Sequence, residues 1–426
     1  MAYRHISVRR ILRVAAQAVF GSVVLTLVWA CAGIPGVREE TITSVIRVPF
    51  VRVLLSENSN SVRLGADGTF AIECLSHGAQ QVFYSGRSVT VGLESGRLMV
   101  DNNREEEIAS GLDEVNIIPR GNDNRLRLGD KRYRGIIKLV ASGQTLQVVN
   151  ILYMEDYLRG VVPPEIGPRI ESEIEAVKAQ AVAARTYTMA HLKQYGEEPY
   201  DMKSGVSDQV YGGADAEVKL VDRAVDETVG RVVMYQDDFI SAYYHSTCGG
   251  MTDNIEAVWD KKEQPYLHAA NDSSACSWSK YYVWQETYTE PQLRARIEQY
   301  LTTDKGREIH IGKIQGITVD QRTAGGRVAK LSIRAEDDVY RFFKDRIRWV
   351  FGRASSPDLI LPSDRFTVEV GHDEKGNATS IVINGQGYGH GVGMCQCGAI
   401  GLSRKGWTFD KILSLYYSGV TIKQLY

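Results

Sequence analysis

In the stretch GVVPPEIG, residues 160–167, one acid, Glu165, stands behind two prolines and among aliphatic residues. A carboxyl group in that setting can keep its proton near neutral pH. Apolar packing by Val161, Val162, Pro163, Pro164 and Ile166 would penalise the charged form and raise the pKa. A retained proton suits a general acid, and the prolines would stiffen the loop that aims it. The same position also fits an acid that caps the N-terminus of the following helix, where the dipole favours negative charge.

A second candidate is the glycine-rich run GQGYGHGVGMCQCGAIG, residues 385–401, with His390 between two glycines. Glycine leaves backbone amides uncovered, so such a loop can press against a ligand. The run lacks the lysine of a phosphate-binding loop and the spacing of a dinucleotide fingerprint, which argues against a nucleotide. His390 fits a substrate-contacting loop, and equally a tight turn whose ring is satisfied by backbone. The six cysteines, Cys31, Cys74, Cys248, Cys276, Cys395 and Cys397, are a third source of chemistry.

These groups must be positioned by a chain of 426 residues that is 43% hydrophobic and 24% charged, an ordinary globular composition long enough for two or three domains. Fifty basic and 52 acidic residues give a formal charge of -2, so nothing in the charge balance calls for nucleic acid. The N-terminus differs: Arg4, Arg9, Arg10 and Arg13 precede an uncharged apolar run that ends in LVWAC. That order predicts a secretory signal over 1–31 with a lipobox, Cys31 being the lipidated first residue of the mature protein. An uncleaved membrane anchor is the alternative. Either way the chain is expected outside the cytoplasm, attached to a membrane. With Cys31 acylated five cysteines remain, an odd number that disulfides alone cannot use.

Residues from about 46 to 130 alternate short β-rich runs with Gly, Asn and Asp turns, which predicts a β-rich N-terminal region. From Ile170 the apolar positions Ile170, Ile174, Val177, Ala181, Ala184 and Thr188 follow steps of four and three, one stripe of an amphipathic, alanine-rich helix. VDRAVDETVG reads as a second helix, RVVMYQDDFISAYYHSTCGG as a hairpin, residues from about 290 to 301 as a helix, a short helix lies near VYRFFKDRIRWVFG, and TFDKILSLYYSG reads as the last one. Strand and helix mix without strict alternation, so the expected class is α+β.

Three stretches, YLRGVVPPEIGPRIESEIEAVKAQAVAARTY, AYYHSTCGGMTDNIEAVWDKKEQPYL and GYGHGVGMCQCGAIGLSRKGWTFDKILSLYYSGVTI, together resemble the stage II sporulation protein D and amidase-enhancer (SpoIID/LytB) family. The resemblance runs over about residues 130–426 and implies a mixed α+β domain of that type over 131–426. It implies a lytic transglycosylase that acts on peptidoglycan glycan strands stripped of stem peptides, with Glu165 at the catalytic position of the GVVxxE motif. A single marked acid suits that reaction: it protonates the departing glycosidic oxygen, then takes a proton as the sugar's own 6-hydroxyl closes on the anomeric carbon. A glycoside hydrolase usually needs two facing carboxylates. The other implied role is an amidase enhancer that grips glycan and stimulates a cell-wall amidase without cutting.

Around Glu165, Lys178, Gln180 and Arg185 are expected to hold acetamido and hydroxyl groups, a solvated helix face being the alternative. Tyr187, Tyr211, Tyr243, His245 and Tyr388 are expected to stack on sugar rings, with His390 alongside. Some sporulation members hold zinc on Cys and His between the long helix and the following YxG stretch. Here that segment is DMKSGVSDQVYGG, with neither residue. No cofactor is then expected, and a disulfide would join the Cys248/Cys276 region to the C-terminal loop. The alternative is tetrahedral zinc on His245, Cys248, Cys395 and Cys397.

Overall fold

A computed structural model describes residues 48–426 apart from 77, 78, 86, 87, 103–105, 122 and 357. The signal segment and Cys31 lie outside the described residues. The chain is α+β, with its strands concentrated in the N-terminal region.

A seven-stranded sheet runs in the order Met202–Lys203, Phe50–Ser59, Thr145–Tyr153, Ile136–Ser142, Glu114–Pro119, Phe70–Ser76, Ala79–Ser85. A six-stranded sheet follows the order Lys131–Tyr133, Leu126–Leu128, Ser61–Ala66, Ser88–Glu94, Arg97–Asn102, Glu107–Leu112. Alternation explains why they pack. Along Ile136–Ser142 the side chains of Ile137 and Leu139 are buried while their neighbours are partly exposed, and Val89 and Val91 do the same in the second sheet. The inward faces of both sheets belong to one core, which continues into the helices that follow and ends at Tyr417.

The first of those helices carries Glu165. Helix α1 (Met154–Ile166) follows directly from the strand Thr145–Tyr153, and helix α2 (Ile174–His191) runs next to it. The stripe read from Ile170 predicted an amphipathic helix, and two features differ. Ile170 lies outside α2 and is 64% exposed, because the Glu173 carboxylate accepts the Ile170 N–H and holds a short 3-10 turn there. And α2 is buried on nearly every side, from Ala176 through Thr188, with α1, α3 (Lys219–Asp226), α5 (Gln396–Arg404) and α6 (Phe409–Tyr416) packed around it. Its alanines allow that crowding, since a helix with small side chains can be approached closely from all sides.

A second core, built on Tyr288, Leu293, Ile297, Leu331, Ile333, Phe351 and Ile383, sits between helix α4 (Glu290–Lys305) and the strands Val283–Thr289, Val328–Ala335, Phe366–His372 and Ala378–Gln386. Within this part the short helix read near VYRFFKDRIRWVFG is Arg346–Phe351, and the residues before it, Val339–Phe343, form a strand paired with Val328–Ala335. The α5 helix, in turn, lies inside what reads in sequence as a loop. Its glycines serve close packing, since a Cβ at Gly401 would run into the backbone of Ala275 and one at Gly398 into Asp272 and Tyr416.

Candidate functional site

Glu165 is the penultimate residue of α1, and Gly167 ends the helix with a φ of 72°. It sits at the negative end of the helix dipole, which disfavours a carboxylate, so the N-terminal capping role does not apply. Both prolines are inside the helix rather than in a loop. A proline at 164 has no N–H to give the carbonyl of Gly160. That carbonyl accepts instead the N–H of Gly212, 2.9 Å away. Gly160 has no side chain because Tyr211 lies against its Cα. The two prolines leave the carbonyls of Arg159 and Gly160 without their helical N–H, and the Gly160 carbonyl fastens the segment that faces Glu165.

That segment supplies the carboxylate's donor. The Val210 N–H reaches Glu165 Oε1 at 2.8 Å, and Gln396 Nε2 donates to the Glu165 carbonyl at 3.0 Å. Burial raises the Glu165 pKa, opposed in part by the Val210 and Gln396 donors. The desolvating groups differ from those expected: Val161 and Val162 point into the core and Pro164 is exposed. Tyr187, Val210, Tyr243 and Tyr244 surround the acid instead. Gln209 locks the strip in place, since its Oε1 accepts from Tyr157 Oη at 3.1 Å and Thr188 Oγ1 at 2.8 Å while its Nε2 donates to Tyr244 Oη at 3.0 Å.

Glu165 opens on a cavity of about 300 Å³ whose wall also includes Tyr187, Asp208, Tyr243, Tyr244, Trp259 and His390. A shallower hollow of about 590 Å³ shares Tyr187, Asp208, Tyr243 and Trp259 and continues past His191, Tyr195 and Lys261. Lys261 Nζ donates to Tyr243 Oη at 2.6 Å and lies 5.3 Å from the Trp259 ring centroid. The result is a groove with aromatic walls and polar rims, with two partly buried acids, Glu165 and Asp208, on its wall. A larger cleft of about 690 Å³, between Trp284, Arg322, Arg365 and Asn384, contains no carboxylate.

His390 lines the cavity, yet both ring nitrogens are occupied. Nδ1 accepts the Val392 N–H at 3.1 Å, so Nε2 carries the proton and donates to the Tyr244 carbonyl at 2.9 Å. Burial pulls its pKa down to about 4, so at neutral pH it is an uncharged spacer and not a proton source. Asp208, which nothing in the sequence pattern singles out, is the other acid on the cavity wall. Its oxygens are taken: Oδ2 accepts from Tyr195 Oη and the Lys203 N–H, each at 2.7 Å, and Oδ1 from Gln194 Nε2 at 3.1 Å.

The remaining expected residues fall elsewhere. Arg185 is fully buried and binds Glu155 at 2.5 and 2.9 Å and the Arg231 carbonyl at 3.0 Å, which fastens the start of α1 to α2. Lys178 is held between Glu175 and Glu227, each at 2.7 Å. Gln180 reaches the site only through Gln396, whose Nε2 stands 3.3 Å from its Oε1. Tyr211 is buried with its hydroxyl on Asn150 Oδ1 at 2.8 Å. Tyr388 lies against Tyr281, ring centroids 4.4 Å apart, and is not part of the cavity wall. His245 is buried behind His390, ring centroids 5.3 Å apart, with Nδ1 3.2 Å from the Val392 carbonyl. Tyr244, Trp259 and Gln396 belong to the site without having been expected there. Trp259 and Tyr244 had a signal, their place in the AYYHSTCGG…VWDKK stretch, and Gln396 had one in the glycine-rich run.

The set His245, Cys248, Cys395 and Cys397 does not converge. Cys248 and Cys395 meet Cys276 and Asp272 instead, all four buried. His245 turns to Val392, and Cys397, partly exposed, is the second residue of α5, its N–H donating to the Ser246 carbonyl at 2.9 Å. All five described cysteines are unpaired in this structure.

Comparison with known proteins bears on this geometry. A family model described as stage II sporulation protein matches residues 142–235, which span α1, α2 and the Val210 strip. A second, described as a domain of unknown function, matches 275–393, the second core. An uncharacterized protein of Brachyspira hyodysenteriae is 32% identical over 323 residues, covering 75% of this chain and 80% of its own length. A protein named stage II sporulation protein D from Bacillus amyloliquefaciens is 30% identical over 289 residues, 64% of this chain and 74% of its own. One named amidase enhancer from Bacillus subtilis is 26% identical over 372 residues, 79% of this chain but only 50% of its own.

Proposed function

Because the chain belongs to the stage II sporulation protein D and amidase-enhancer (SpoIID/LytB) family, we propose that it is a lytic transglycosylase of peptidoglycan glycan strands. The observation that carries this reading is the state of the two acids on one aromatic-walled cavity. Burial favours a protonated Glu165, whereas both oxygens of Asp208 are spent on three internal donors.

In the proposed reaction, sugar rings lie along Tyr187, Tyr243 and Trp259, whose faces suit the apolar faces of pyranoses. Glu165 gives its proton to the glycosidic oxygen as the bond to the anomeric carbon breaks. The resulting carboxylate, steadied by the Val210 N–H, then accepts the proton of the same sugar's 6-hydroxyl as that oxygen bonds to the anomeric carbon. Glu165 ends as it began and no water is consumed. A hydrolase would need a second carboxylate free to activate water. Digestion of peptide-free glycan in ¹⁸O-labelled water tests this. Anhydro-muramyl ends without label are expected, and labelled reducing ends would mean hydrolysis and refute the reading.

The likeness to an amidase enhancer supports a second reading, in which the same groove only grips glycan and a cell-wall amidase is the partner. Binding without any cleavage by the intact protein would select it. The site is taken to work outside the cytoplasm on a protein tethered through Cys31; among the described residues no helix is long and apolar enough to cross a membrane. Cys31→Ser is expected to stay an unacylated precursor by intact-mass measurement. A wild-type mature protein that carries no lipid would contradict the tether.

A further inference from the structure

Three distant parts of the chain bring Cys248, Asp272, Cys276 and Cys395 into one buried cluster, with all four ligand atoms within 4.8 Å of one another. The Cys248 and Cys276 sulfurs are 3.5 Å apart, and Cys248 Sγ is 3.2 Å from Asp272 Oδ2. A mononuclear zinc with bonds of about 2.3 Å to sulfur and tetrahedral angles places its sulfur ligands roughly 3.8 Å apart, so one ion fits without rearranging the loops. An iron–sulfur cluster spreads its ligands over several irons and needs them further apart.

Backbone N–H groups converge on the sulfurs. The N–H groups of Cys248 and Gly398 both point at Cys395 Sγ, at 3.2 Å each, and the Gly250 N–H points at Cys248 Sγ at 3.2 Å. Tyr416 Oη donates to Asp272 Oδ2 at 3.3 Å. Such outer donors offset the negative charge of thiolate ligands and fix their direction. A disulfide answers only part of this. Three cysteines form one bridge, which would strand a third sulfur, and it would leave Asp272 Oδ1 buried with no hydrogen-bond partner among the described residues.

We propose that Cys248, Cys276, Cys395 and Asp272 bind one zinc ion. Binding replaces the three thiol protons, which leave to solvent, with four bonds to the metal. The ion joins the loop after the strand at His245, the Asp272–Cys276 turn and the N-cap of α5, whose first residue, Gln396, touches Glu165. Its role is to hold the glycine-rich segment against the site; it stands outside the chemistry proposed for Glu165 and is tested without reference to activity.

The test uses the full chain, purified under reducing conditions without chelator. Elemental analysis should find about one zinc per chain, and cobalt substituted for it should give the visible bands of a tetrahedral ion together with a near-ultraviolet thiolate-to-cobalt band. Cys276→Ser and Asp272→Ala should fall from one equivalent to below a tenth, Asp272→Cys should keep the ion, and Cys74→Ser and Cys397→Ser should hold it in full. Several results overturn the assignment: wild-type protein that takes up no zinc on reconstitution, a Cys248–Cys276 disulfide in the peptide map, iron in zinc's place, or full occupancy in a folded Cys276→Ser protein. Should that variant fail to fold, the wild-type cobalt spectrum decides, and a missing thiolate band refutes the site.

Discussion

Glu165→Gln is expected to fold, to bind peptide-free glycan like the wild type and to lose roughly a hundredfold or more in turnover, the usual size of a lost general acid or base. Glutamine keeps the oxygen that accepts from Val210 N–H, and the backbone carbonyl that receives Gln396 is untouched, so the strip from Val206 to Tyr211 has no reason to move. The pH dependence gives the sign. Burial raises the folded-state pKa of Glu165, so the proton needed for cleavage is present below that value and lost as pH rises through it. The alkaline limb of kcat should therefore lie above the ordinary glutamate range and vanish in the variant's residual rate. Stability moves with the same linkage. Above its folded pKa the buried carboxylate costs stability that the amide does not, so the variant should melt no lower than the wild type at neutral pH, and the gap should close as the acid protonates. A variant that binds and cleaves within a few-fold of wild type would remove Glu165 from the chemistry. One that melts several degrees lower would show its role to be structural.

How far the site could be read in advance follows from what each residue depends on. Glu165 was legible because its motif is contiguous, and so were Tyr187 and Tyr243, which lie in the same matched stretches. Arg185 and Lys178 were misplaced because helical spacing does not say which face meets a partner. On a helix as enclosed as α2 a charged side chain must find its counter-ion inside, and Glu155, 30 residues away, is invisible in the local pattern. The α5 helix was hidden for a related reason. Glycine lowers helix propensity by about 1 kcal/mol, yet Gly398 and Gly401 are there because Tyr416, Asp272 and Ala275 press on the helix. Asp208 and Gln209 hold the Val210 donor through side-chain contacts to α2 and Tyr195, and contacts of that kind leave no periodic trace. The α+β class, by contrast, rests on strand alternation and turn residues that act within a few positions, and it could be read directly.

Arg327→Ala should destabilise the fold by about 3–5 kcal/mol, the range for removing one partner of a buried ion pair. Arg327 and Asp253 have no solvent exposure, and Asp364 has 1%. The guanidinium lies 3.2 Å from Asp253 Oδ2 and 3.1 Å from Asp364 Oδ1, and it donates to the carbonyls of Met251 at 3.1 Å and Cys248 at 3.0 Å. Removing it takes the cation from two buried carboxylates, of which Asp253 keeps only the neutral donors Thr323 Oγ1 at 2.7 Å and Gly325 N–H at 2.9 Å, and takes a donor from two carbonyls. Arg327→Lys should rescue little, because a single ammonium cannot span four acceptors in fixed directions. Burial pushes the Asp364 pKa up to about 7 even beside Arg327. Without the arginine it rises further, so the variant's folded state takes up a proton more readily, and its deficit should be larger at pH 8 than at pH 5. The effect should reach the cavity. Gly391 packs directly on the guanidinium, and its carbonyl accepts the Asp253 N–H at 2.8 Å, so the glycine run that presents His390 is seated on this ion cluster. Urea unfolding of the variant at both pH values measures the deficit. A loss below about 1 kcal/mol, or one that does not change between pH 8 and pH 5, would mean that water enters the cluster and that the second core holds the glycine-rich segment by packing alone.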